Sequence, residues 1–200
     1  MLYCFCVSRA LRADAERTVR TILEAAERVL SADPAATMEQ IAEAAGVART
    51  TVHRRFATRD ALVGALTAWA ARRFAEAVDA APLESAPPLV ALYQVTANVL
   101  EVKTGWGFAM GAATASSDPE VVRAHSDVLA KCDRLFRRAQ DAGVVRADVD
   151  LAWARRVYYA LIHEVCVSGG SVGGEDANAL ANLVVDTLMR GIAPASPPVV

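Results

Sequence analysis

Between Arg49 and Arg59 the chain carries four arginines (Arg49, Arg54, Arg55 and Arg59) and His53, with no acidic residue among them. Guanidinium groups at that density match phosphate oxygens and guanine edges. The implied chemistry is recognition of a polyanion. Whole-chain charge conceals it: 21 basic and 23 acidic side chains leave a formal net charge of -2, so any nucleic-acid surface must be local. Bond-making constellations are missing. His163-Glu164 begins like H-E-x-x-H, but residue 167 is valine. In Gly105 to Gly111 (GWGFAMG) the third glycine comes one residue late for G-x-G-x-x-G, and there is no G-x-S-x-G. The chain is therefore expected to be no enzyme and to carry no cofactor and no metal. Its four cysteines, Cys4, Cys6, Cys132 and Cys166, lack paired C-x-x-C spacing; Cys4 and Cys6 are either idle thiols or sensors of oxidants or soft metals.

The elements that must position these residues are helical. Apolar residues recur at spacings of three and four, β-branched alternation is nearly absent, and a composition 54% hydrophobic and 22% charged over 200 residues implies a packed core. The periodicity predicts helices at Asp14–Leu30, Met38–Ala45, Ala48–Phe56, Thr58–Asp79, Leu89–Lys103, Phe108–Ser116, Pro119–Asp141, Leu151–Val167 and Asp176–Ile192. Thr37 with Gln40 resembles a capping box, and Thr58 is a good N-cap. No run of about 18 apolar residues exists to span a membrane, and Met1–Val7 lacks the basic flank and cleavage site of a secretory signal. A cytoplasmic protein is expected.

Within Met38–Phe56, six positions meet the needs of two short crossed helices. With Ala45 as a further matched position, Ala42 is small where the second helix crosses, Gly46 supplies a turn residue with positive φ, and Ile41, Val47 and Val52 fill the seam. Projected at about 100° per residue, Ala48, Val52 and Phe56 face the core, while Thr50 and Arg54 point away from it. Thr51 and His53 fall on the flanks and Arg49 and Arg55 nearer the seam. Such a ridge can enter a major groove.

From about Arg17 to Trp69, and above all over TMEQIAEAAGVARTTVHRRFATRDAL (Thr37 to Leu62), the chain resembles the DNA-binding domain of the TetR/AcrR family of transcriptional repressors. The stretch AGVVRADVDLAWARRVYYAL (Ala142 to Leu161) is more weakly similar. The resemblance implies that Arg49 and Thr50 reach base edges, that Thr51 and His53 hold phosphates, and that Thr37 and Arg59 touch the DNA backbone. Arg54 and Arg55 complete the expected surface. Two positions depart from the family pattern. His53 stands where tyrosine is usual, which would make a phosphate contact pH-sensitive, and Ala48 stands where serine often caps the helix. Arg9, Arg12, Arg17 and Arg20 form either a basic arm diluted by Asp14 and Glu16 or an ordinary solvated face.

The resemblance further implies an all-α fold: an N-terminal three-helix helix-turn-helix domain and a C-terminal helical domain that binds a ligand and dimerises. The expected boundaries are a tail at 1–13, the DNA-binding domain at 14–58, a connecting helix at 59–81, the effector-binding and dimerisation domain at 82–192, and a tail at 193–200, with a flexible linker over Ser168–Gly174. For the effector site the candidates are Tyr93, Trp106, Phe108, Met110, Phe136, Tyr158 and His163; each aromatic is alternatively plain core, and Gly105, Gly107 and Gly111 mark an interrupted helix that either opens a cavity or simply turns. Apolar stripes near 151–167 and 176–192 either close the monomer or pair with a second copy. The expected function is a homodimeric repressor that binds a palindromic double-stranded DNA operator and is released by a small hydrophobic effector. An effector-independent regulator or activator is the alternative, and a helical small-molecule-binding protein or enzyme without DNA binding the remote one.

Overall fold

The structure, a computed structural model, describes residues 2–168 and 176–192. The side chains of Cys4, Cys6, Arg9 and Arg12, the tail at 193–200 and all of the expected linker except Ser168 lie outside the described residues. The described residues form α1 (Leu2–Ala32), α2 (Met38–Ala44), α3 (Arg49–Arg55), α4 (Arg59–Asp79), α5 (Pro88–Gly105), α6 (Gly107–Thr114), α7 (Pro119–Asp141), α8 (Leu151–Ser168) and α9 (Ala177–Ile192). The fold is all-α, as the periodicity required.

Local chemistry explains where the helices begin and end. Asp118 caps α7 by accepting from the backbone N–H groups of Glu120 and Val121, with Pro119 pre-set at the first helical position. Gly143 ends the same helix at φ 71°, a conformation costly for a side chain with a Cβ. The first helix begins earlier than the expected Asp14: α1 runs from Leu2 without a break, because no glycine or proline interrupts the chain before Pro34.

By packing, the chain divides into two units. The head comprises the residues up to Ala70 together with Trp106–Ser116, and the C-terminal unit takes Ala71–Gly105 and everything from Ser117 onward. This division differs from the expected domain boundaries in two ways. It falls inside α4 instead of at its ends, and it gives α6 to the head. Packing accounts for the second difference, since the buried residue of α6, Ala109, belongs to the head core. Ala109 is fully buried in the head core beside the cluster of Ile22, Leu30, Ile41, Val52 and Leu66, with Trp106, Phe108 and Met110 packed against it.

The C-terminal unit has its own core, built from α5, α7, α8, α9 and the end of α4 around Val78, Leu100, Phe136, Tyr158 and Val185. The Pro82–Pro88 loop, expected as the main boundary, is pinned by Arg138, which donates to the carbonyls of Leu83 and Ala86. On α9, Leu180, Val184 and Leu188 are buried within the monomer while Leu183 is exposed. Most of that apolar stripe closes the unit's own core.

Candidate nucleic-acid interface

The head builds its surface from the α1–α2 turn upward. Thr37 Oγ1 accepts from the Gln40 backbone N–H at 3.3 Å, and Gln40 Oε1 accepts from the Thr37 N–H at 2.7 Å, a complete capping box that fixes the start of α2. Gly46 then turns the chain at φ 65°. The Val47 N–H bonds the Ala42 carbonyl at 3.1 Å, and α3 follows with Val52 fully buried. Ala48 is the N-cap of α3 and makes no side-chain cap, as its methyl group dictates. One expectation is corrected here: Val52 and Phe56 face the core, but Ala48 is exposed, because the cap residue stands outside the helical register.

Outward from this anchor, Thr50, His53 and Arg54 are exposed, and Thr51 is half-buried on the flank. Arg49 is exposed but engaged. Its guanidinium pairs with Glu39 of α2 at 2.6 Å, and its Nε donates to His53 Nε2 at 3.4 Å. Sequence reasoning missed Glu39 as a partner, because it weighed charge along α3 and not across the crossed pair. Arg55 lies off the ridge, lining an open depression of about 340 Å³ with Glu16, Val19, Arg20 and Trp69.

Arg59 has partners within the head that its sequence position does not reveal. Its Nε donates to the Ala36 carbonyl at 3.3 Å and another guanidinium nitrogen donates to the Pro34 carbonyl, so the side chain ties the α1–α2 turn to the start of α4. Charge-assisted bonds of this kind are worth about 1.5–3 kcal/mol each where they are shielded from water, less for this half-buried group. Arg59→Ala is expected to lower the stability of the head by about 1–3 kcal/mol while leaving the salt dependence of DNA binding unchanged. Thermal melting and a salt titration of the folded variant check the two halves.

The seven effector candidates are divided between the two units. Trp106, Phe108 and Met110 belong to the head: the Trp106 ring lies 4.0 Å from that of Trp69, and the backbone N–H of Phe108 donates to Glu27 at 2.8 Å. The other four lie in the C-terminal unit. Phe136 is core, edge-on to Tyr158 with ring centroids 5.7 Å apart, and the Tyr158 hydroxyl shares a hydrogen bond of 2.8 Å with Thr96. Tyr93 is half-buried and bonds Asp186, and His163 is exposed. Beside Tyr158 on α8, the Tyr159 hydroxyl is buried without a hydrogen-bond partner; the Cys132 thiol lies near enough to perturb it but outside bonding geometry.

Burial raises the Tyr158 and Tyr159 phenols above their ordinary 10.0 and the Cys132 thiol above 9.0. With folded values above unfolded ones, the unfolded chain loses these protons first, so their stabilising effect is intact below about pH 9 and lost as pH climbs through the folded values. Stability is expected to fall with increasing steepness above about pH 10, by roughly 1.4 kcal/mol per pH unit for each proton of difference. Melting temperatures between pH 8 and 11 check this, and Tyr158→Phe should flatten the slope.

Among the described residues no group of side chains could hold a metal ion, and no helix is long and apolar enough to cross a membrane. Comparison with known proteins gives this geometry a context. The model of "Bacterial regulatory proteins, tetR family" matches residues 22–66, and that of "Transcriptional regulator SbtR-like, C-terminal domain" matches residues 87–194, more than half of the chain. The transcriptional repressor LfrR of Mycolicibacterium smegmatis is 34% identical over 147 residues, 74% of this chain and 76% of LfrR. The transcriptional regulator NfxB of Pseudomonas aeruginosa is 30% identical over 136 residues, 65% of this chain and 71% of NfxB. Among solved structures, LfrR in complex with proflavine superposes with a TM-score of 0.68 at 27% identity, covering 90% of this chain and 99% of LfrR. PfmR of Thermus thermophilus, at 20% identity, shares the fold with a TM-score of 0.73 over 84% of this chain and 97% of its own. Two matched regions that together take in both units, with a relative aligned over three quarters of its length, make this chain a member of the TetR family of transcriptional regulators, which are DNA-binding proteins and not enzymes.

Proposed function

We propose that the protein is a homodimeric, ligand-responsive repressor whose α3 reads a palindromic operator. The observation that carries this reading is the α3 ridge, where Thr50, His53 and Arg54 stand exposed on a helix held from behind by fully buried Val52. A short helix seated by one apolar residue and bare on its cationic side is shaped for a major groove. Arg49 joins the ridge by exchanging Glu39 for DNA. Thr37 and Thr51 are assigned to phosphates, and Arg55 to the DNA flank beside Arg20. Two such helices about one DNA turn apart, roughly 34 to 36 Å, would bind a palindrome far better than one. Exposed Trp153 on α8 and Leu183 on α9 suit a contact with a second copy through those helices.

The effector belongs to the C-terminal unit in this reading, with the unpartnered Tyr159 hydroxyl as its polar anchor. The proflavine complex of LfrR supports a small aromatic ligand. Binding would move α4 and carry the recognition helices out of register, a coupling on the usual scale of about 1–3 kcal/mol. The protein would act in the cytoplasm, where the chromosome is.

Fluorescence anisotropy with DNA from the gene's own upstream region, against scrambled DNA across a salt series, tests the proposal. The expected result is saturable, salt-sensitive binding that prefers the native fragment at two chains per site, reversed by proflavine as the first probe. Absence of binding at low salt would overturn the DNA half. Binding untouched by a panel of small aromatic ligands would overturn the effector half.

A further inference from the structure

Arg49 is held by two acceptors of different kinds. Its guanidinium Nη2 pairs with Glu39 Oε1 of α2 at 2.6 Å, and its Nε donates to His53 Nε2 of α3 at 3.4 Å. Nε and Nη2 make up one edge of the planar guanidinium fork, so a carboxylate oxygen and a ring nitrogen stand side by side along that edge. One DNA base offers the same pair: guanine presents its O6 oxygen and its N7 ring nitrogen next to each other in the major groove. Adenine sets an amino donor beside N7, thymine a methyl group beside O4, and cytosine an amino donor alone, so none of them can take over both bonds.

Exchange of one pair for the other costs little. The Gly46 turn and the bond from the Val47 N–H to the Ala42 carbonyl fix α2 against α3 and keep Glu39 within reach of Arg49. The side chains of Arg49 and Glu39 are 64% and 46% exposed, so DNA can reach the guanidinium and the ion pair it displaces is a weak one. Glu39 lies in the first turn of α2, where the helix N-terminus favours a carboxylate, and it is not left stranded when Arg49 departs. We infer that Glu39 and His53 are a built-in stand-in for guanine: they hold the reading edge of Arg49 in the free protein and yield it to a guanine of the operator, which makes Glu39 a brake on operator affinity. The inference rests on the DNA-binding function proposed above and names the base that Arg49 reads.

Selection of bound sequences from random double-stranded DNA by the full-length protein, with Arg49→Ala beside it, identifies the base. The expected result is a guanine that the unmodified protein requires at a position where Arg49→Ala accepts any base. Replacing that guanine by 7-deazaguanine, which lacks N7, should weaken the unmodified protein about tenfold and leave the variant unaffected. Glu39→Gln then tests the brake. On the guanine-bearing site it is expected to bind about two- to fivefold tighter, with no gain when Arg49 is already alanine. The Thr37–Gln40 capping box is untouched by this change, and far-UV circular dichroism verifies the fold. An equal gain in the Arg49→Ala background would mean that Glu39 only repels phosphates, and unchanged or weaker binding by Glu39→Gln would mean that the carboxylate stays on Arg49 in the complex; either result would overturn the stand-in. So would an Arg49-dependent position that selects a base other than guanine, or a selection that Arg49→Ala reproduces in full. Failure of the unmodified protein to enrich any sequence would instead overturn the proposed function, and this inference with it.

Discussion

Phe136→Ala is expected to destabilise the C-terminal unit by about 3–5 kcal/mol, lowering its melting temperature by roughly 10–20 °C. The side chain is 2% exposed and meets Tyr158 edge to face, so truncation removes a large buried surface and one aromatic pair and leaves a void walled by α5, α7 and α8. Because the head has a separate core, α2 and α3 should keep their hydrogen-exchange protection at temperatures where the variant's C-terminal unit has opened. A residue that lined an effector site would behave otherwise: truncation would enlarge the site, alter ligand affinity and cost little stability. A shift below about 1 kcal/mol, read by calorimetry or denaturant titration, would return Phe136 to the ligand site.

The contrast between Phe136 and the helix-turn-helix shows what a sequence can and cannot carry. Thr37, Gly46 and Val52 were legible because each is fixed by a local rule, a cap, a positive φ or a helical face, and those rules act within a few residues. An aromatic in an amphipathic helix satisfies core packing and ligand lining equally, so Phe136, Tyr158 and Trp106 were ambiguous until the packing placed them. The structural partners of Arg59 were hidden for a related reason. Its partners, the carbonyls of Pro34 and Ala36, lie more than twenty residues away and leave no side-chain signature.

Glu27 lies between these cases. It sits four residues after Leu23 and three before Leu30, on the apolar face of α1, where an acid breaks the stripe. That interruption was a readable signal of a buried polar partner, whereas the identity of the partner, a helix start some eighty residues on, was not. The same holds for Glu39. It is an acid on the α2 surface by sequence and becomes a competitor for Arg49 only when α2 and α3 cross.

Arg54→Glu is expected to abolish operator binding, with a loss of about 3 kcal/mol or more and hence at least roughly a hundredfold in affinity. Arg54 is exposed on the side of α3 opposite Val52 and has no ion-pair partner among the described contacts, so reversing its charge disrupts little inside the protein. Against DNA it removes one cation and sets an anion against the phosphates, which costs more than either change alone. Arg49→Ala is the instructive comparison: this side chain must first leave Glu39 and His53, so part of what DNA gains from it is already spent in the free protein. Its loss should be smaller, about 1–3 kcal/mol, and concentrated on the preferred sequence, whereas Arg54→Glu should weaken scrambled and native DNA alike. Anisotropy titrations of both variants on both DNAs, with far-UV circular dichroism to verify the fold, measure these four losses. An Arg54→Glu protein that is folded and still binds its operator within a factor of three would move the DNA surface off the outward ridge of α3.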